Sequence, residues 1–265
     1  NSLQAKLREL LLEPPDLERP LVVVVDGLDE LDTMPDEGIT LPLPASGVHL
    51  IVTARIAVKD PSEDAAHWRR RLNWEFAPTE HFQIDPLTKS DIEDVIEQAR
   101  LDVREGDLNP LTEKLLYVSE GHPLLINLYL QRLEDDDDIT VNVFLSKEIQ
   151  PGLGPYIEDV EKQLRKDEAY DEDLLGLLSV ALGPLYLEDL RGVGVQTSVD
   201  ELARITRKSR GLIIGNGKQH GFVFSHSMIG DAYAENHPRE MESYQTRFVE
   251  YGQRVFQKLT QGELV

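Results

Sequence analysis

The chain has no cysteine among its 265 residues, which excludes disulfides, thiolate nucleophiles and cysteine-ligated zinc. A reducing, cytoplasmic setting fits that composition. No apolar run approaches the roughly 18 residues that a membrane helix needs, so no membrane partner is expected. Asn1–Leu12 alternates charge with leucine and does not form a signal peptide. Positive charge is scarce: 27 basic residues face 49 acidic ones, for a net charge of −22. Nucleic-acid binding depends on neutralising phosphates with Lys and Arg, so this balance opposes it unless basic residues are locally concentrated. The densest clusters, Arg69–Arg71 and Arg204–Arg210, are short and read as solvated helix faces. The acidic runs 135–138 and 168–172 read as solvated surface. There is no H-E-x-x-H, no metal-ligand spacing among the histidines, no G-x-S-x-G nucleophile elbow and no internal repeat.

What is present is an ordinary globular composition, 40% hydrophobic and 29% charged, in a chain long enough for several small cores. Leucines at 3, 7, 10 and 11 predict a helix that Pro14–Pro15 ends. Leu21–Val25 is a continuous β-branched run, the pattern of a parallel strand buried on both faces. Val48–Thr53, entered through Ser46–Gly47, predicts a second such strand, and His81–Ile84 a shorter third.

After Asp85–Pro86 the pattern becomes helical. Thr88 and Asp91 have the form of a capping box ahead of Ile92, Val95, Ile96 and Ala99. Asn109–Pro110 predicts a helix start with the asparagine as cap, running to a break at Gly121. Pro123 opens the next helix, with Leu124, Leu125, Leu128 and Leu133. Pro151–Pro155 reads as a hinge. From Asp173 an apolar helix runs to Gly183–Pro184, followed by Leu187–Val193 and by a helix at Val199–Ser209 capped by Ser198. Gly211–Ser225 predicts a β-hairpin turning at Gly215–Asn216–Gly217. Three helices and a hairpin are the plan of a winged-helix domain. A last helix, Arg239–Leu259, presents Phe248, Tyr251, Val255 and Leu259 on one face.

Four segments could carry chemistry. Leu21–Glu30, reading L-V-V-V-V-D-G-L-D-E, ends a buried strand on Asp26, at the sheet edge where α/β proteins bind ligands. An aspartate there can hold magnesium through water, and a second acid, Asp29 or Glu30, can orient or deprotonate an attacking water. Asp-Gly is also ordinary turn chemistry. Val48–Arg55 ends a strand on Arg55, which could contact a γ-phosphate or simply face solvent. Gly121-His122-Pro123-Leu124 is a helix stop followed by a helix start. Phe224–Ile229 places His226 after the hairpin, either as a donor to phosphate oxygens or as a satisfied structural histidine.

In this order the four segments resemble the STAND class of signalling NTPases, NACHT-like and related to AAA+ proteins. The resemblance covers residues 1 to about 236. It implies that Asp26 is the magnesium-side aspartate of an extended Walker B motif and that Asp29 and Glu30 are the acidic pair of hydrolysis. It implies that Arg55 ends the sensor-1 strand, that Pro123 packs near the adenine, and that His226 reaches the β-phosphate of ADP. The expected cofactors are ATP or ADP with Mg2+. The expected layout is an α/β parallel-sheet nucleotide-binding portion (1–85), an all-α helical lid (86–145), a winged-helix domain (146–236) and a C-terminal helix (237–265). The expected function is a switch that ADP holds closed and that forms homo-oligomers on activation, in defence, cell death or regulatory signalling. Its effector and sensor parts would lie outside this chain.

The phosphate-binding G-x-x-x-x-G-K-[ST] is missing: Gly217-Lys218 is not followed by Ser or Thr. The chain is therefore expected to be a fragment, or else a degenerate switch. ATP hydrolysis is expected of the intact protein and not of these residues alone. Two rivals stand beside this reading. One is a winged-helix DNA-binding regulator using Arg204, Arg207, Lys208 and Arg210; the other is an interaction module that binds no nucleotide.

Overall fold

A computed structural model of the chain describes residues 3–12, 20–28, 41–54, 61–99, 101, 103–104, 106–135 and 140–261. Contacts divide it into two units, 1–84 and 85–265, each taken by itself below. The described residues form a mixed α/β fold that is mostly helical. Among them no helix is long and apolar enough to cross a membrane.

In the first unit, α1 (Leu3–Leu12), β1 (Leu21–Val25), β2 (Val48–Val52) and α2 (Pro61–Arg71) follow one another. β1 and β2 pair in parallel, with Leu21 beside Val48 and Val25 beside Val52. Leu11, Leu28, Leu41, Val48, Leu72, Trp74 and Ala77 form the buried cluster, and the Trp74 indole donates to the Leu41 carbonyl at 3.1 Å. The arginines of α2 are not all solvated: Arg71 lies over the Trp68 ring.

Two expectations fail in this unit. The strands are not buried on both faces: Val22, Val24 and Ile51 are 54%, 60% and 51% exposed, while Val23, Val25, Leu50 and Val52 pack against the cluster. Side chains alternate along a strand, and the cluster lies on one side only. A run of valines cannot reveal that asymmetry. Nor is His81–Ile84 a strand. Phe82 and Ile84 are 80% and 91% exposed, and no strand among the described residues pairs with the segment. β-propensity makes a strand only where an edge is available.

The second unit begins with α3 (Lys89–Gln98), whose capping box is formed: Thr88 N–H donates to Asp91 at 2.8 Å, and the Thr88 hydroxyl oxygen accepts from Asp91 N–H. α4 (Leu108–Ser119) starts one residue before the expected cap, with Asp107 in that position. The Asn109 side chain instead accepts from Lys89. α5 (Pro123–Asp135) and the short α6 (Val141–Ser146) follow.

The Pro-Gly stretch at 151–155 is the start of α7 (Leu153–Lys166) and not a free hinge. Gly152, at φ 100°, donates to the Val118 carbonyl, and Tyr156, Ile157, Val160 and Leu164 are buried behind it. Proline in a first turn costs nothing, since its missing N–H has no helical partner there.

α8 (Glu172–Val180), α9 (Leu187–Gly192) and α10 (Val199–Lys208) precede a hairpin of β3 (Ile213–Ile214) and β4 (Val223–Phe224). Leu185 adds an antiparallel bridge to Phe222. The turn is longer than Asn-Gly alone implies: the Asn216 side chain accepts the N–H groups of Lys218, Gln219 and His220 at 3.0–3.1 Å. Then come α11 (Ser227–Asn236), packed on α8 and α7, and α12 (Met241–Thr260). The buried residues form one cluster that reaches from Ile92 to Tyr244.

α12 is held by rings set into glycine notches. A Cβ on Gly176 would come within 2.1 Å of the Tyr244 ring, and one on Gly192 within 2.2 Å of the Tyr251 ring. Arg247 bonds Asp173 at 2.6 Å and the Val193 carbonyl at 2.8 Å. Tyr244, absent from the expected apolar face, is the buried residue of this helix, and Leu259 is exposed.

Gly252, by contrast, meets nothing within 4 Å of an added Cβ. Glycine in an exposed helix interior costs about 0.5–1 kcal/mol relative to alanine. Gly252→Ala is therefore expected to raise stability by that amount in urea unfolding. A loss of stability would mean that the α12 surface at this point is covered.

Candidate functional site

In the first unit the register that sets Val25 beside Val52 also brings Asp26 next to Thr53, at the carboxyl edge of the sheet. The Thr53 hydroxyl donates to Asp26 Oδ1 and accepts from Gly27 N–H at 3.0 Å. Thr53 N–H donates to the Val25 carbonyl, and Leu28 N–H to the Thr53 carbonyl. Gly27, at φ 72°, allows the chain to turn off the strand there. Leu28 is 1% exposed and anchors the turn, while Asp26 stays exposed.

The result is an oriented carboxylate at a sheet edge. Among the described residues there is no group of three or more metal-ligating side chains. Asp29, Glu30 and Arg55 lie outside the described residues. Thr53 was legible only as part of a strand end; its role as partner to Asp26 depends on the pairing register.

In the second unit, Glu120 takes a left-handed conformation at the end of α4, and Gly121 follows at φ 76°. Gly121 is tightly seated: an added Cβ would stand 2.6 Å from the Leu87 carbonyl oxygen, and its own carbonyl accepts Leu87 N–H. His122 follows, and its carbonyl starts the ladder of α5 by accepting Ile126 N–H. Pro123 is the first residue of α5 and is exposed. His226 is exposed at the N-terminus of α11, with Nδ1 accepting Met228 N–H at 3.2 Å.

The two histidines are electrostatic neighbours. Burial pushes the His122 imidazole below the ordinary histidine range, and His226 pushes it the same way. His226, at the N-terminal end of α11, is therefore within electrostatic reach of His122, in the turn that opens α5. His122 carried no signal of its own in the sequence, because the two positions meet only through packing.

The basic residues of α10 are engaged within the unit. Arg204 donates to the carbonyls of Asp167 and Glu168, and Lys208 pairs with Asp167 at 3.5 Å. Arg207 donates back to the Ala203 carbonyl of its own helix. A groove-reading helix needs such cations directed at phosphates and base edges.

Comparison with protein-family models, with curated proteins and with solved structures finds no match to this chain.

Proposed function

We propose that the chain is the regulatory portion of a nucleotide-dependent signalling switch of the STAND/NACHT type, which ADP holds closed and which oligomerises on activation. The observation that carries this reading is that His226 lies within electrostatic reach of His122 in the Gly121-His122-Pro123 turn. The resemblance assigns both segments to one nucleotide, and that assignment requires them to be close. The helices that begin at Pro123 and Ser227 present their positive dipole ends there, which favour an anion. Asp26, oriented by Thr53 at the sheet edge, is in keeping with a role towards hydrated Mg2+. The same reading makes the chain cytoplasmic, with effector and sensor parts elsewhere in the protein.

The winged-helix arrangement of α8, α9, α10 and the β3–β4 hairpin belongs to this proposal, as does a lid built from α3 to α6. DNA binding through α10 is disfavoured, because Arg204 and Lys208 are taken by Asp167 and Glu168 and the net charge is −22. No G-x-x-x-x-G-K-[ST] occurs in these residues, and that loop's amides and lysine supply most phosphate binding. Affinity is therefore expected in the millimolar range, about −4 kcal/mol.

Titrating ADP to millimolar concentration is expected to shift the ring resonances of His122 and His226 and to leave those of His220 and His237 in place. A hydrogen bond to a charged group contributes about 1.5–3 kcal/mol, so His226→Leu should weaken the response at least tenfold. If ADP moves neither histidine, the interaction-module reading replaces this one.

A further inference from the structure

His226 has the extended backbone of an N-cap, at φ −151° and ψ 144°, and its Nδ1 accepts Met228 N–H at 3.2 Å. This is the bond that serine or asparagine makes to the second residue of a helix, here made by an imidazole. A ring nitrogen that accepts carries no proton, so the neutral ring holds its proton on Nε2. Among the described residues no acceptor takes that Nε2–H. We infer that the Met228 amide locks His226 as the Nε2–H tautomer, so that one nitrogen caps α11 while the other is a neutral donor, and that a second proton on the ring uncaps the helix.

The lock restricts what the residue can meet. A neutral Nε2–H offers a hydrogen bond to an acceptor oxygen and has no lone pair for a metal ion. That the acceptor is a phosphate oxygen rests on the function proposed above; the tautomer and the cap do not.

Protonation acts twice at this point. It removes the acceptor from Nδ1, and it sets a positive charge on the positive end of α11. His122, from the turn before α5, adds to the effect, since it is already held neutral by burial and by His226. The unfolded chain binds a proton at His122 near pH 6.5, whereas the folded chain does so lower. The stability linked to His122 is therefore complete above about pH 6.5 and falls as pH drops through that value.

Of the acids on the elements packed against α11, Glu158 of α7 pairs with Lys162, and Asp159 with Arg132 and Lys147. On α7, Glu161 is held by His237 at 3.1 Å and by the Tyr170 hydroxyl at 2.9 Å. His237 is at the far end of α11, about 15 Å along its ten residues. On α8, Asp173 is bound to Arg247 and Glu172 stands beside it in the first turn. β4 carries no charged residue, and α11 itself carries Asp231 and Glu235.

The test uses the nucleotide-free 265-residue chain, so its outcome is independent of ADP binding. Nitrogen-15 spectra at neutral pH should show the His226 proton on Nε2 and a bare, hydrogen-bonded Nδ1. The protection factor of the Met228 amide should fall when acid adds the second proton to the His226 ring. In His226→Asn, whose side-chain oxygen keeps the cap without titrating, it should stay level. His226→Ala should lose that protection at every pH and melt ~2–4 °C lower. A proton found on Nδ1, an asparagine variant as damaged as the alanine one, or a Met228 amide indifferent to pH would overturn the inference.

Discussion

Glu30→Gln, in a protein that joins this acidic strand end to a phosphate-binding loop, is expected to leave nucleotide affinity largely intact and to slow turnover by about 10²–10⁴-fold. The amide keeps the size and one acceptor of the carboxylate but cannot take a proton from water. Asp26 is oriented through the Thr53 hydroxyl and the backbone pairs that tie the two strand ends together. On the proposed reading Asp26 addresses hydrated magnesium, so Asp26→Asn should weaken Mg2+-dependent nucleotide binding instead. Measuring kcat and nucleotide Kd for both variants separates the two roles. Unchanged turnover in Glu30→Gln would mean that the acidic pair has been misassigned or that Asp29 does the work.

Gly176→Ala is expected to undock α12, at a cost of about 2–3 kcal/mol. The added methyl would lie 2.1 Å from a Tyr244 ring carbon. That ring is 6% exposed, with its hydroxyl on the Glu172 carbonyl, so it cannot swing aside without giving up its burial. The neighbouring joint at Gly192 and Tyr251 has the same construction, with the Tyr251 hydroxyl on Asp189 at 3.2 Å. Urea unfolding gives the cost, and hydrogen exchange along α12 shows whether the helix leaves. The control is a double-mutant cycle: in a Tyr244→Ala background the penalty for Gly176→Ala should largely vanish. An equal penalty in both backgrounds would place the defect within α8 and dismiss the ring-in-notch account.

Where hydrogen bonds and periodicity act within a few residues, the sequence was a good guide. The Thr88–Asp91 box, the Ser198 cap, the β3–β4 hairpin and the starts of α5 and α10 are local events decided by the residues that take part. α7 was missed because Pro151–Pro155 reads equally as a hinge and as a helix entry. What separates the two is the apolar spacing of Tyr156, Ile157, Val160 and Leu164, which also lay in the sequence. The cap of α4 is at Asp107 and not at Asn109, whose side chain accepts from Lys89 of α3 and donates to Glu113 of its own helix.

The sequence alone determined the helical periods, the parallel pairing tendency of two β-branched runs, the absence of cysteine chemistry, and the placing of Asp26 at a strand end. Each follows from the conformational and solvation preferences of residues near one another in the chain. The tertiary structure decided which face of β1 and β2 is covered, that His81–Ile84 stays unpaired, and which glycines receive tyrosine rings. It also decided that Thr53 orients Asp26 and that His122 lies within electrostatic reach of His226. These outcomes depend on burial and register between segments far apart in the chain. A valine reads the same whether or not a helix covers it, and a histidine gives no sign of the histidine it will face.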